Sequence, residues 1–160
     1  MKILSALRPT LAMLLVVVQL SGCNDTKSFA GEVVGVTDGD TIGVMRGGKE
    51  EKVRLHGIDC PEMGQAYGSN AKAFTSELAF GKTVEVRERG KDGYGRTIGD
   101  VVLPDGRLLN HQLVEEGLAW WYRKYAPGDK RLEELERGAR ESRTGLWADA
   151  DPTPPWDYRN

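Results

Sequence analysis

The stretch Glu32-Val33-Val34-Gly35-Val36, Thr41-Ile42-Gly43-Val44-Met45 and Lys52-Val53-Arg54-Leu55-His56-Gly57-Ile58 decides how this chain folds. Its three β-branched runs are divided by the turn formers Asp38-Gly39 and Gly47-Gly48, which is the pattern of a three-stranded meander. A two-residue hairpin at Gly47-Gly48 sets Thr41 opposite Arg54 and Asp40 opposite Leu55. Asp40 and Arg54 are then near neighbours. The chain leaving the third strand continues Ile58-Asp59-Cys60-Pro61-Glu62, so Asp59 and Glu62 emerge at that same end. Three carboxylates held so close repel one another and invite a hard cation with oxygen ligands, calcium or a similar ion.

Outward from the meander, Ser69 to Phe80 carries Ala71, Phe74, Leu78 and Ala79 at helical spacing and stops at Gly81. Thr83 to Glu88 and Thr97 to Leu103 read as two more strands, joined through Gly90-Lys91-Asp92-Gly93. Leu108 to Ala119 and Lys130 to Ser142 read as amphipathic helices. Five short strands with one helix after the third and more at the end predict an α+β, mainly β chain: a five-stranded OB-type Greek-key barrel with about three α-helices. The tail Asp151-Pro152-Thr153-Pro154-Pro155-Trp156 is expected to be neither helix nor central strand, because proline lacks the donor; it is a disordered end or an extended arm docked by Trp156.

The chain has 160 residues, 22 Lys plus Arg against 24 Asp plus Glu, and two cysteines. That suits one domain and excludes a polytopic membrane protein, a disulfide-stapled miniprotein and a disordered polyelectrolyte. Lys2 and Arg8 precede an apolar run, Thr10 to Leu20, of signal-peptide length, followed by Leu20-Ser21-Gly22-Cys23, which resembles the bacterial lipobox. The expected organisation is a leader over 1–22, a lipidated tether over 23–29, the barrel domain over 30–148 and a Pro-rich tail over 149–160. Cleavage before Cys23 leaves 138 residues and removes two cations and no acid, taking the net charge from -2 to -4. The expected product is exported and held on the membrane by lipid on Cys23, on the periplasmic or cell-surface side. With Cys23 lipidated, Cys60 is a free thiol.

At Asp38-Gly39-Asp40-Thr41, Val53-Arg54-Leu55, Ile58-Asp59-Cys60-Pro61-Glu62, Asp92-Gly93-Tyr94-Gly95-Arg96, Asn110 through Leu113 to Gly117-Leu118-Ala119, and Gly145-Leu146-Trp147, the chain resembles the staphylococcal nuclease, or thermonuclease, family. The resemblance spans about residues 30 to 148, in order and with family-like spacing. It implies an OB-fold, calcium-dependent phosphodiesterase, a monomer that cuts DNA and RNA with little sequence preference and leaves 3′-phosphates. Carried over position by position, it makes Asp40, Asp59 and the backbone carbonyl of Cys60 the calcium ligands and Glu62 the general base. Arg54 and Arg96 hold the scissile phosphate, and Tyr94 and Tyr125 contact the nucleotide. Three positions depart from the pattern: Cys60 replaces a threonine, Gly93 replaces a lysine, and Arg123 stands where one of two tyrosines is usual; either substrate grip is altered, or Arg123 and Lys124 compensate by contacting phosphate.

Physical reasoning supports that assignment independently. Attack of water on a phosphodiester builds negative charge on the equatorial oxygens and the leaving 5′ oxygen, so the site needs cations aimed there and a base for the water. Arginine forks suit the equatorial oxygens. Other features have plainer readings: His56 and His111 as structural histidines, at least one of Trp120 and Trp121 as a core residue, and the Arg131 to Arg143 helix, interleaved with Glu133, Glu134, Glu136 and Glu141, as a solvated face. Two further readings compete with the enzyme: a catalytically inactive OB-fold lipoprotein that only binds nucleic acid, and an envelope lipoprotein that merely supports other proteins. Retention of Asp40, Arg54, Asp59, Glu62 and Arg96 together favours the enzyme.

Overall fold

A computed structural model describes residues 27–159. Cys23 and the leader lie outside the described residues. The meander forms as the turn residues dictate: β1 (Ser28–Asp38), β2 (Thr41–Arg46) and β3 (Lys49–Leu55) run antiparallel. Their register pairs Thr41 with Arg54 and Arg46 with Lys49, as the Gly47-Gly48 hairpin requires. β1 begins before the β-branched run because its first residues, Ser28 to Glu32, pair with β5 (Thr83–Lys91). Register shifts beyond Val33 bend it from one neighbour to the other. β6 (Thr97–Val102) runs antiparallel to β5 and parallel to β3, closing a barrel in the order β1-β2-β3-β6-β5. This is the five-stranded OB-type α+β architecture. Val33, Ile42, Val44, Val53, Val86 and Val101 fill its interior with no exposed surface, each contributing about 1.5–3 kcal/mol of burial.

α1 (Gly68–Ala79) packs against β1, while α2 (Leu109–Glu115) and α3 (Lys130–Glu141) pack on each other. Where sequence reasoning extended the third strand to Ile58, the strand ends at Leu55. Gly57, at φ 75°, turns the chain, and Ile58–Asp59 becomes a separate strand, β4. The expected helix to Ala119 is likewise shorter, because Gly117, at φ 61°, ends it and Trp120–Trp121 forms β7, paired antiparallel with β4. Both tryptophans are buried. The tail also departs from expectation: after a 3-10 turn at Gly145–Ala148, Pro155–Tyr158 forms a short helix, α4. Pro155 occupies its first turn, where a missing N–H costs no hydrogen bond.

Candidate active site

The site is assembled on turns that the barrel holds rigidly. Asp38 Oδ1 accepts the Asp40 N–H at 3.1 Å, closing the turn between β1 and β2. Thr75 of α1 donates to the Gly39 carbonyl at 2.6 Å. A side chain at Gly39 would place its Cβ 2.7 Å from Ala71 Cβ and 2.8 Å from Cys60 Sγ, so only glycine lets α1 press the turn into place. On the other side the Leu55 N–H donates to the Asp40 carbonyl at 2.8 Å, which locks Asp40 to the end of β3.

Arg54 is the centre of the cluster. Its Nη1 donates to the carbonyls of Leu55 at 2.9 Å and Ile58 at 3.0 Å, and its Nη2 reaches Asp59 Oδ1 at 2.8 Å and Asp40 Oδ2 at 3.2 Å. Asp40 Oδ2 also accepts the Cys60 N–H at 2.6 Å. Asp40 is 5 % exposed and Asp59 1 %, so both carboxylates have left water and depend on these partners. Burial raises the Asp40 carboxyl above the usual range, against the opposing pull of Arg54. Desolvation works against the Arg54 charge too, yet the carboxylates outweigh it and keep the guanidinium protonated. The Cys60 thiol, also buried, is pushed well up and stays protonated.

Asp59 is placed by β4, and β4 by β7, whose Trp121 N–H donates to the buried Glu136 at 3.2 Å. Glu136 is therefore no part of a solvated helix face. It is 2 % exposed and also receives Arg123 at 2.9 Å. Arg140 stays exposed, with its guanidinium lying 3.7 Å from the Trp147 ring centre and 3.5 Å from Glu136. Glu62 follows on a turn in which the Gln65 Oε1 accepts the Glu62 N–H at 3.1 Å. Gly68 makes this possible, since a Cβ there would lie 1.9 Å from the Glu62 carbonyl oxygen.

Arg96 comes from the loop between β5 and β6. Asp92 Oδ1 accepts the N–H groups of Tyr94 at 3.0 Å and Arg96 at 2.9 Å, and its Oδ2 takes Arg96 Nε at 2.7 Å. Desolvation would raise the Asp92 carboxyl, but these bonds reverse it and hold the group below the usual range. Asp92 thus sets both the loop and the direction of Arg96.

Asp40, Arg54, Asp59, Glu62, Tyr94, Arg96 and Tyr125 all line one open cavity of about 670 Å³. Tyr94 is 89 % exposed at its rim. Arg123 does not line it: its guanidinium is held by Glu136 and lies 4.2 Å from the Trp121 ring centre. Tyr122 lines the cavity in its place, beside Tyr125. His56 also reaches the wall, with Nδ1 3.5 Å from Asp100. Sequence reasoning missed Tyr122, Gln65 and Arg159. Trp156 was the one available signal for Arg159, which lies three residues beyond it.

Among the described residues no group of three or more His, Cys, Asp or Glu side chains is arranged to hold a metal ion, and Arg54 and Arg159 are paired with the acids of the cavity. The donor set nevertheless suits a hard cation. Two buried carboxylates, Asp40 and Asp59, already share one guanidinium nitrogen, and burial resists the charge on Asp40.

A closed OB-type barrel that brings buried acids, Arg54 and Arg96 to one open cavity is chemically suited to a phosphate ester. The family model for "Staphylococcal nuclease homologue" matches residues 52–149, and the chain belongs to the staphylococcal nuclease family. It is 41 % identical over 165 residues to a Shigella flexneri protein named "Micrococcal nuclease", covering 98 % of this chain and 93 % of that one. An "Uncharacterized endonuclease" of Escherichia coli O157:H7 is 45 % identical over 130 residues, covering 81 % and 84 %. A Haemophilus influenzae protein of the same description is 38 % identical over 149 residues, covering 92 % and 82 %.

Proposed function

We propose that this protein is a calcium-dependent nuclease that hydrolyses DNA and RNA with low sequence specificity, releases 3′-phosphate ends and is anchored to the bacterial envelope through lipid on Cys23. The observation that carries the reading is the meeting of Asp40, Asp59 and Glu62 with Arg54 and Arg96 in one cavity. A binding module would not need a base beside two phosphate-sized cations. Asp40, Asp59 and the Cys60 carbonyl would hold calcium, which when bound supplies Lewis-acid charge at the phosphoryl oxygens. Glu62 takes a proton from the attacking water. The water oxygen bonds to phosphorus as the bond to the 5′ oxygen breaks, the leaving oxygen takes a proton from solvent water to become a hydroxyl, and Glu62 returns its proton to solvent.

Arg96, gripped by Asp92 at Nε, offers its two terminal nitrogens to the equatorial oxygens. Arg54 is committed to four oxygens of the protein, so it fixes the separation of Asp40 and Asp59 while adding positive charge at the cavity floor. Tyr94, Tyr122 and Tyr125 offer ring faces and hydroxyls to the sugar and base. The test is digestion of single-stranded and duplex DNA and of RNA by the chain from Asn24 onward, with calcium and with chelator. Calcium-dependent cleavage leaving 3′-phosphates is expected. Folded protein that binds DNA without cutting it would establish the inactive module instead. Retention of Cys23→Ser protein in the membrane fraction would overturn the lipid anchor.

A further inference from the structure

The tail makes contacts that the hydrolytic reading does not use. It crosses the Glu62 turn and ends with Arg159 in the active-site cavity. Arg159 Nη2 donates to Asp59 Oδ2 at 2.7 Å, and Nη1 donates to Glu62 Oε1 at 2.6 Å and to Asp59 Oδ1 at 3.4 Å. One guanidinium thus spans a proposed metal ligand and the proposed base. Its delivery is built into the tail. The Trp156 ring stacks on Tyr122 at 4.9 Å with 14° between planes and meets Trp120 edge-on at 5.6 Å. Pro155 is buried. Gln65 joins tail to turn, its Oε1 accepting the Glu62 N–H while its Nε2 donates to the Thr153 carbonyl. Trp156 and Arg159 are three residues apart, so docking the ring aims the guanidinium along the same side of the turn.

Resting on the calcium reading above, we propose that Arg159 is a built-in occupant of the metal site, carried there by the tail and displaced when a divalent cation binds. The Arg159 guanidinium lies against Asp59 Oδ2 and Glu62 Oε1, so its charge competes with that of a hard cation for the same acids. Glu62, while it holds Arg159, has its Oε1 lone pair engaged by a donor and is a poorer acceptor for the water proton. The docked tail is therefore a resting state in which metal binding at Asp59 and proton acceptance at Glu62 Oε1 are both weakened. The effect is reversible because Arg159 is 43 % exposed and carries a single charge, whereas a divalent ion brings two to the same buried acids. By linkage, whatever strengthens tail docking weakens metal binding by the same factor, and the ion in turn loosens the tail.

The test is calorimetric titration of calcium into the full chain in detergent, for wild type, Arg159→Ala and Trp156→Ala, with hydrogen exchange followed at the amides of Asp157, Tyr158 and Arg159. Both variants should bind calcium roughly tenfold more tightly, the scale of two charge-assisted hydrogen bonds discounted for solvent exposure. In wild type, saturating calcium should speed exchange at those amides, which otherwise donate to the Pro154 and Pro155 carbonyls. Trp156→Ala keeps the Arg159 charge and loses the anchor. A gain confined to Arg159→Ala, with tail exchange unchanged, would reduce the effect to a deleted positive charge and overturn the strap. Unchanged or weaker binding in both variants overturns the inference while leaving the calcium reading intact. Absence of calcium binding by wild type at millimolar concentrations overturns both.

Discussion

Replacing Arg54 with alanine tests whether the site and the fold share one residue. The substitution removes a donor from Asp40, which is 5 % exposed, from Asp59, which is 1 % exposed, and from the Leu55 and Ile58 carbonyls. Breaking a buried ion pair by deleting one partner costs about 3–5 kcal/mol, because the remaining charge stays uncompensated. Arg159 remains on Asp59 Oδ2, and the Cys60 N–H on Asp40, which favours the lower part of that range. The two carbonyls add about 1 kcal/mol each where water does not reach them. A net loss of about 5 kcal/mol is expected, a large share of the 5–15 kcal/mol typical of a whole domain.

Urea unfolding in chelator, read by the fluorescence of buried Trp120 and Trp121, measures this as a midpoint lowered by about 2 M. Arg96→Ala is the matched control. Arg96 is 32 % exposed and ion-paired to Asp92 at the surface, so its loss should cost about 0–1 kcal/mol. Both variants should lose most of their turnover, and only one should lose its stability. Calcium should restore part of the Arg54→Ala loss, since a bound cation favours the folded state. An Arg54→Ala protein within about 1 kcal/mol of wild type in chelator would refute the reasoning, because the two aspartates would then not depend on the guanidinium for compensation.

Gly68→Ala should lower turnover about a hundredfold with helical circular dichroism retained, since the new Cβ lies 1.9 Å from the Glu62 carbonyl oxygen and must move the base. Asp92→Asn should lower turnover roughly tenfold or more by freeing Arg96 from its directed hydrogen bond. The Asp92 carboxyl is held below the usual range, so its stabilising contribution is present above the ordinary aspartate pKa and fades as pH falls through the folded value. Thermal melts of wild type and Asp92→Asn should therefore differ most near neutrality and converge in acid. Asn110→Ala should cost about 3 kcal/mol in urea unfolding, because buried Asn110 accepts the Val101 N–H at 3.0 Å and donates to the His56 carbonyl at 3.0 Å and the Gly99 carbonyl at 3.3 Å.

The meander and its register were legible because local rules determine them. Gly47-Gly48 admits one tight hairpin, and sliding it by one residue would turn the Val44, Ile42 and Val53 side chains out of the core. Asp40, Arg54, Asp59 and Glu62 were legible for the same reason, since all four lie within one hairpin and its exit. What escaped is what depends on distant packing. Glu136 reads as one more charge on a charged helix until β7 brings the Trp121 N–H over it. Tyr122 and Arg123 are adjacent, and which one faces the cavity is set by the Arg123 pairing with Glu136 and by the edge of β4. Arg159 is separated from Asp59 by 100 residues, and Trp156, which hints that the tail docks, does not say where. Proline at α4 was misleading for a different reason: it excludes a helix interior and permits a first turn.

The cavity's charge explains why a protein with a net charge of -2 needs no basic surface to work on a polyanion. Asp38, Asp40, Asp59, Glu62 and Asp92 line it against Arg54, Arg89, Arg96 and Arg159. With all of these ionised, the cavity stands one negative charge short of balance, and withdrawing Arg159 deepens the deficit to two. Phosphate has no reason to enter either state. On the calcium reading, a divalent cation in exchange for Arg159 would bring the balance to zero, with Arg54 and Arg89 paired to Asp40, Asp59 and Asp100 and Arg96 offering its terminal nitrogens, so attraction for substrate would rest on the metal and a few residues at short range. Binding that rests on so few phosphate contacts is weakly dependent on salt and quickly reversed, which suits an enzyme that must leave each cut site. On the same arithmetic the docked Arg159 offsets the charge of Asp59 and Glu62 when no metal is bound, and α4, which carries it, lies outside the barrel strands.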